Sequence, residues 1–210
     1  MALEWEVKKA MAFTHGIVYT PQYMSINDPT YPFDPEELFT LFYYAENGRT
    51  PKDKQCTLVV SSYGGSCGIC FALYDYLKQS KRWDTYIAGY ASSMASIIFL
   101  AGRKRYINPC GNFGIHQPQG GGDVFTHGDT VGQADNLKDI MERFSTIYSH
   151  NATDKTRHNK KYFTNIMRNH TNELYRYNAK KTVKMGFAHG IKSFIYPNVE
   201  LTVISDEDDE

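Results

Sequence analysis

One stretch decides the fold of this chain, and it reads Gly89-Tyr90-Ala91-Ser92-Ser93-Met94-Ala95-Ser96-Ile97-Ile98-Phe99-Leu100-Ala101-Gly102. The order of its residues predicts the end of a strand, a tight turn of small residues and a short apolar helix. We expect the strand over residues 84–88, which are rich in good strand formers. The helix is expected over residues 93–101, with Gly102 at its C-terminal end.

The serines of this stretch fall at the N-terminus of the predicted helix. Free backbone N–H groups point outward there, and the helix dipole favours negative charge. A serine held at this point can attack a carbonyl, and the N–H groups beside it can receive the oxyanion that forms. On this stretch alone, ordinary N-capping is the simpler explanation, because serine is a favoured cap residue.

Two other segments carry residues that suit the same site. Ser61-Ser62-Tyr63-Gly64-Gly65-Ser66 follows an apolar run of strand formers, and its glycines permit positive φ and close backbone approach. Gly114-Ile115-His116-Gln117-Pro118 follows a further predicted strand. The repeated strand–turn–helix order predicts a mostly parallel sheet. Because ligands in such sheets gather beyond the carboxyl ends of the strands, we expect Gly65, Ser93 and His116 at one edge.

Together the three segments resemble the proteolytic subunit of the Clp protease, a self-compartmentalised serine peptidase with Ser-x-Gly-Gly-Ser, Gly-x-Ala-x-Ser-Met and Ile-His-Gln-Pro motifs in this order. The resemblance implies that Ser93 is the nucleophile, since the family places its serine immediately before Met, which makes Ser92 a poorer candidate. It implies that His116 is the general base and that the Gly65 and Met94 N–H groups form the oxyanion hole. Tyr63 stands where the family usually has proline, a change that we expect to alter the stiffness of the turn.

The resemblance covers roughly residues 16–204 and implies an α/β fold. This is the repeated ββα superhelix shared with crotonases, with a mostly parallel sheet and a protruding handle of one strand and one helix. We expect a single peptidase domain over residues 1–204, with its handle at about 117–151, and a disordered acidic tail over 205–210. The segment between Pro118 and the handle helix is longer than in the family, which puts the contact between rings in question.

The remaining elements are predicted from local patterns. Asp34-Pro35 is typical of a helix start, and Asn47-Gly48 of a helix end. Cys67 and Cys70 form a C-x-x-C pattern, but packing of the predicted helix 67–78 explains them better than redox chemistry or zinc binding. His127 is expected to face solvent. The other predictions are strands at 16–19, 55–61, 104–108 and 199–204, a loop at 21–35, a mobile segment at 119–130, and helices at 131–151 and 159–175.

The third member of a serine triad is uncertain in this sequence. Such a triad needs a group that holds the histidine tautomer and stabilises the imidazolium. One alignment of the segment places Leu174 at the family's aspartate position, and another places Glu173 there; Asn172 is a further candidate because asparagine orients the histidine in cysteine proteases. No aspartate lies between positions 154 and 206. The acid is therefore displaced, replaced by Glu173 or Asn172, or absent.

Composition excludes some classes of protein. Lys and Arg number 23, and Asp and Glu number 23, so the net charge gives no case for binding nucleic acid or an anionic membrane. Residues 1–12 lack the apolar core of a secretory signal, and the longest apolar run is far shorter than the roughly 20 residues of a membrane span. Four cysteines do not suggest a disulfide framework. We therefore expect a reducing, cytoplasmic location.

The first functional hypothesis is a serine endopeptidase subunit that cleaves peptides and unfolded proteins without metal or cofactor. The resemblance implies seven-membered rings that stack in pairs, and an AAA+ Clp unfoldase as the ATP-dependent partner. The alternative is a catalytically weak or inactive structural subunit of a mixed ring, which the uncertain acid favours and the retained Ser93 and His116 oppose. A crotonase-type acyl-CoA enzyme ranks lower, because it needs no such Ser-Met and His pair.

Overall fold

The computed structural model describes residues 2–25, 33–120, 126–169 and 175–193. Within these ranges helices and strands alternate through most of the chain. Their bounds are α1 Ala2–His15, β1 Ile17–Tyr19, α2 Pro35–Asn47, β2 Cys56–Ser62, α3 Cys67–Ser80, β3 Trp83–Ser92, α4 Met94–Ala101, β4 Arg105–Ile107, β5 Asn112–Ile115, α5 His127–Asn151, α6 Lys160–Asn169, β6 Tyr175–Asn178, α7 Ala179–Lys184 and β7 Gly190–Ile191.

The strands form one mixed sheet that is mostly parallel, as predicted. Its main order is β1-β2-β3-β4-β7, and β5 joins it by pairing with β3 on one side and β6 on the other. Among the described pairs, only β5 and β6 run antiparallel. The α/β class is confirmed, whereas the superhelical repeat and the handle remain predictions. The terminal strand predicted at 199–204 and the acidic tail at 205–210 lie outside the described residues.

The hydrophobic core surrounds β2 and α4. Every residue of α4 is buried, including Ser96, which agrees with a helix that is apolar on all sides. The sequence Leu58-Val59-Val60 in β2 is also buried, as expected for a parallel strand covered on both faces. The turn that carries Ser93 leads directly into α4, so one side of this turn is attached to the core. Gly102 ends α4 as predicted, with its N–H bonded to the Phe99 carbonyl.

The central strand β3 is longer than the prediction of 84–88. Its first half pairs with β4 at residues 85–87, and its second half pairs with β5 at residues 90–92. Because β5 satisfies the backbone groups of the second half, the chain stays extended through Gly89. The strand therefore continues to Ser92, and the turn is confined to Ser93.

Local signals placed some boundaries correctly. Asp34 caps α2, with its side chain accepting a hydrogen bond from the Glu36 N–H at 2.8 Å. The helix ends at Asn47, as predicted. The beginning of α5 at His127 is four residues earlier than predicted, because Thr126 and Asp129 form a reciprocal capping box. His127 is exposed, in agreement with its prediction.

The predicted helix over 159–175 is wrong at its C-terminal end. Tyr175 belongs to β6, where it lies opposite Ile115 of β5. The alternation of aromatic and polar residues in Tyr175-Arg176-Tyr177-Asn178 is typical of a strand, and pairing with β5 satisfies its backbone.

The N-terminal segment forms a helix that packs on the domain. In α1, Met11 and Ala12 are buried. The Phe13 ring packs edge-on against Tyr44 of α2, with 6.4 Å between ring centroids. In the described part of the chain, no helix is both long enough and apolar enough to cross a membrane.

Candidate active site

Ser93 forms the turn between β3 and α4 in a strained conformation. Its φ of 54° and ψ of −130° are rare for a residue with a side chain, and such conformations cost about 1–3 kcal/mol and cluster at functional sites. Its side chain makes no N-capping hydrogen bond, so the interpretation of this serine as an ordinary cap is wrong. Ser93 is partly exposed, whereas Ser92 before it is only 4% exposed. A sharp strand-to-helix turn of this kind leaves the serine hydroxyl available for chemistry.

Hydrogen bonds on both sides hold this turn in place. The Ser93 N–H donates to the Gly114 carbonyl of β5 at 3.2 Å. The Ser93 carbonyl accepts from the Ser96 N–H at 3.0 Å and from the Ser96 hydroxyl at 2.6 Å. The surrounding structure therefore fixes the strained backbone, and the strain persists in the fold.

The glycine turn after β2 lies directly against the serine turn. Gly64 has a φ of 101°, and a Cβ atom added to it would lie 2.9 Å from the Ser93 Cβ and 3.0 Å from the Met94 nitrogen. A Cβ atom on Gly65 would overlap the backbone of Met24. The absence of both side chains is thus what allows the two turns and the segment around Met24 to meet.

The two N–H groups predicted for the oxyanion hole are turned away from internal acceptors. The Met24 N–H bonds to the Gly64 carbonyl, and the Ser66 N–H bonds to the Met24 carbonyl, each at 2.7 Å. In a parallel bridge of this kind the residue between, Gly65, points its own N–H away from Met24. Met94 is the first residue of α4, where N–H groups lack partners within the helix. Within the described ranges, no backbone acceptor is bonded to either N–H group.

His116 follows β5, which pairs with β3, the strand that leads to Ser93. Gly114 of β5 lies opposite Ser92 of β3, so the two carboxyl ends are neighbours, as predicted. Burial lowers the pKa of the His116 imidazole below its ordinary value of 6.5, and a hydrogen bond with the Gln117 backbone opposes this shift. The neutral ring that dominates at pH 7 is the form that a general base requires.

The structure leaves the His116 ring without a catalytic partner among the residues it describes. Neither a carboxylate nor the Ser93 hydroxyl is bonded to this imidazole within those ranges. Catalytic hydrogen bonds are often long before substrate binds and tighten afterwards. The candidates for the third triad member, Asn172 and Glu173, lie outside the described residues, together with Leu174, whose aliphatic side chain cannot orient an imidazole. They directly precede Tyr175, which lies opposite Ile115, the residue before His116.

A stack of three tyrosines is a feature of this region that the sequence did not reveal. Tyr63 lies between Tyr90 and Tyr23, with ring centroids 4.1 Å and 5.1 Å away. Burial and the neighbouring Tyr63 hydroxyl raise the pKa of Tyr90 to about 12. The one signal in the sequence was that Tyr63 stands where the family usually has proline. The stacking itself could not be predicted, because Tyr23 and Tyr90 come from distant parts of the chain. The stack ties the glycine turn to the end of β3.

The C-x-x-C pattern belongs to the core. Cys70 is buried in α3, Cys67 is half-buried, and both thiols are free. Burial raises the pKa of both thiols, which makes them poor nucleophiles. In the part of the chain that the structure describes, no three His, Cys, Asp or Glu side chains are grouped to hold a metal ion.

Comparison with known families identifies the family of this chain. The model of the family described as Clp protease matches residues 33–195. This range is more than half of the 210 residues of the chain. It includes all the residues predicted for the site: Gly65, Ser93, Met94, His116 and Glu173.

Proposed function

The chain belongs to the Clp protease family, and from this premise we propose that it is a serine endopeptidase subunit that cleaves peptides and unfolded proteins. The observation that carries the proposal is the strained and uncapped Ser93, held beside the glycine turn. A serine with only a structural role has no reason to adopt a conformation this costly.

The proposed mechanism follows from the roles of these groups. His116 removes the proton from the Ser93 hydroxyl as its oxygen attacks the peptide carbonyl. The N–H groups of Gly65 and Met94 stabilise the oxyanion of the tetrahedral intermediate. His116 then gives the proton to the leaving amine, and water, activated by the same imidazole, releases the acyl group from Ser93. No step of this mechanism uses a metal or cofactor.

The proposal includes an assembly. We propose that the subunits form seven-membered rings that stack in pairs, with residues 117–151 acting as the handle, and that an AAA+ Clp unfoldase delivers protein substrates in the cytoplasm. The exposed N-terminal half of α5 supports this, since Val131 is 46% exposed there and the buried residues of α5 lie in its other half. Light scattering of the purified protein measures the mass of the assembly, and a monomer would contradict the proposed ring.

A weakly active or silent ring subunit is the second candidate. It is favoured by the sequence, in which no aspartate lies between positions 154 and 206 to fill the family's acid position. Loss of the triad carboxylate can lower turnover by about 10⁴ while the geometry stays intact. Such a subunit would assemble but hydrolyse peptides very slowly.

Labelling with a fluorophosphonate tests the proposed function. We expect wild-type protein to be labelled, Ser93→Ala and His116→Ala to be unlabelled, and Ser92→Ala, as the matched control, to keep its labelling. An assembled wild-type protein that is not labelled would overturn the peptidase proposal and leave the silent subunit. Loss of labelling only in Ser92→Ala would show that Ser92, and not Ser93, is the reactive serine.

A further inference from the structure

Two buried hydroxyl groups connect α5 to the backbone of the candidate nucleophile. The Ser96 hydroxyl donates to the Ser93 carbonyl at 2.6 Å, and its oxygen lies 2.7 Å from the hydroxyl of Tyr148. Because the Ser96 proton is used on the carbonyl, the Tyr148 hydroxyl donates to the Ser96 oxygen. Both Ser96 and Tyr148 are 0% exposed. The contact spans 52 positions of the chain.

We propose that Tyr148 and Ser96 are positioning residues of the catalytic site, which hold Ser93 and the Met94 N–H in the orientation that the reaction requires. The inference rests on the proposed peptidase function. Neither side chain touches the substrate in this proposal. Their effect passes through the backbone of Ser93.

The geometry of the peptide bond gives the reason. The Ser93 carbonyl and the Met94 N–H belong to the same planar peptide group and point in opposite directions. A hydrogen bond that fixes the carbonyl therefore fixes the direction of the N–H predicted for the oxyanion hole. It also restrains the unusual ψ of −130° at Ser93.

Ordinary bonding of a helical serine to its own backbone does not account for this arrangement. Serine in helices often bonds to a carbonyl three or four residues earlier. Here the acceptor belongs to the residue with a φ of 54°, and a second helix supplies the Tyr148 hydroxyl. A buried tyrosine hydroxyl needs a partner, but a partner elsewhere would have satisfied it equally well.

The Tyr148 ring is itself firmly held. It contacts aromatic rings from several elements, including Phe113 of β5, the strand that leads to His116. The packing leaves the hydroxyl little freedom, so the hydrogen bond to Ser96 is formed without a further loss of side-chain entropy. The centroids of the surrounding rings lie 6.1 Å (Phe113), 6.2 Å (Phe144), 5.5 Å (Phe163) and 6.0 Å (Phe187) from that of Tyr148.

The test compares Tyr148→Phe, Ser96→Ala and the double variant with wild type. Ser145→Ala is the matched control, because Ser145 is also buried on α5 but bonds to Thr164 of α6, away from Ser93. Peptide hydrolysis gives kcat and KM, and fluorophosphonate labelling gives the reactivity of the serine. We expect each single variant to lower kcat and the labelling rate about tenfold with KM unchanged, because small misplacements of reacting groups are costly. The double variant should lose little more, since the hydroxyls act in series.

The outcomes separate this inference from the proposed function. Wild type that is not labelled would refute the peptidase function and, with it, this positioning role. Labelled wild type with Tyr148→Phe and Ser96→Ala at wild-type kcat would refute the positioning role alone. An equal loss in Ser145→Ala, or a rise in KM in place of the fall in kcat, would assign the hydroxyls to general stability. If Ser96→Ala does not fold, Tyr148→Phe decides, because it keeps the ring and removes one oxygen.

Discussion

The turn after β2 and the turn after β3 solve the same problem in different ways. Both follow neighbouring parallel strands, and both lead into a helix behind a serine, Ser66 or Ser93, whose side chain makes no capping hydrogen bond. The first turn reaches positive φ with Gly64 and Gly65, at 101° and 151°. The second forces Ser93 to 54°. In the proposed site the first turn contributes only a backbone N–H, for which glycine is sufficient, whereas the second turn must carry a side chain, and there the strain is tolerated.

The two turns also differ in how they are anchored. The glycine turn is held from outside, by hydrogen bonds with Gln22 and Met24 and by the stacked ring of Tyr63, which is 43% exposed. The serine turn is held from the core by Gly114 and by the hydroxyl of Ser96. We therefore expect substitutions around the serine turn to have larger effects than substitutions in the tyrosine stack that holds the glycine turn.

The largest effect is expected at Ser93. Ser93→Ala and Ser93→Gly should both lower peptide hydrolysis by about 10³-fold or more, since the proposed nucleophile is lost. Glycine adopts positive φ without strain, so the free energy of unfolding of Ser93→Gly should exceed that of Ser93→Ala by about 1 kcal/mol. Urea unfolding measures this difference. A glycine variant no more stable than the alanine variant would show that the turn stores no strain.

The next effect is expected at Gly65. A Cβ atom at position 65 would overlap the Met24 backbone, so Gly65→Ala should displace the backbone N–H of residue 65. Because this N–H is proposed to stabilise the oxyanion, kcat should fall about 10²-fold with little change in KM. Gly68→Ala is the matched control, because a Cβ atom at Gly68 would have nothing within 4 Å. Steady-state kinetics of the two variants decide. Similar kcat values in the two variants would refute the proposed role of the Gly65 N–H in the oxyanion hole.

A pH profile should show the lowered pKa of His116. The base works when neutral, so kcat/KM should rise with pH through a pKa below 6.5 and then level off, falling about tenfold per pH unit on the acid side. A neighbouring carboxylate favours the imidazolium and raises its pKa. If Glu173 is the third member, Glu173→Gln should therefore move the acid limb to still lower pH. If the acid limb of the wild-type profile gave a pKa above 6.5, burial would not be the dominant influence on the pKa of His116.

The smallest effect is expected in the tyrosine stack. Tyr63→Ala removes the stacking on Tyr23 and Tyr90, and a pair of stacked aromatic rings contributes about 0.5–1.5 kcal/mol. Because the stack holds the glycine turn, its loss should loosen that turn and lower kcat by a few-fold. Tyr63→Phe keeps the stack on Tyr90 and should remain close to wild type. Measurement of kcat tests this, and a larger loss in Tyr63→Ala than in Ser96→Ala, which loosens the serine turn, would reverse the comparison of the two turns.

Much of the architecture could be read from local pattern. The Asp34 cap, the helix 67–78 and the buried parallel strand after Gln55 depend on neighbouring residues, and the structure agrees with these predictions. The order of the candidate site residues along the chain was also visible, because each follows or begins a regular element. The extension of β3 and the strand β6 were missed, because pairing with β5 decides both.

The sequence by itself determined the class of the sheet and the small residues at the turns, since hydrophobic runs and glycine or serine preferences act over a few residues. Only the tertiary structure decided that Met24 would face Gly65, that Ser93 would adopt its strained φ, and that Tyr148 would bond to Ser96. Each of these depends on atoms brought together from distant positions. Local propensity cannot encode such contacts, because their energy appears only when the core closes around them.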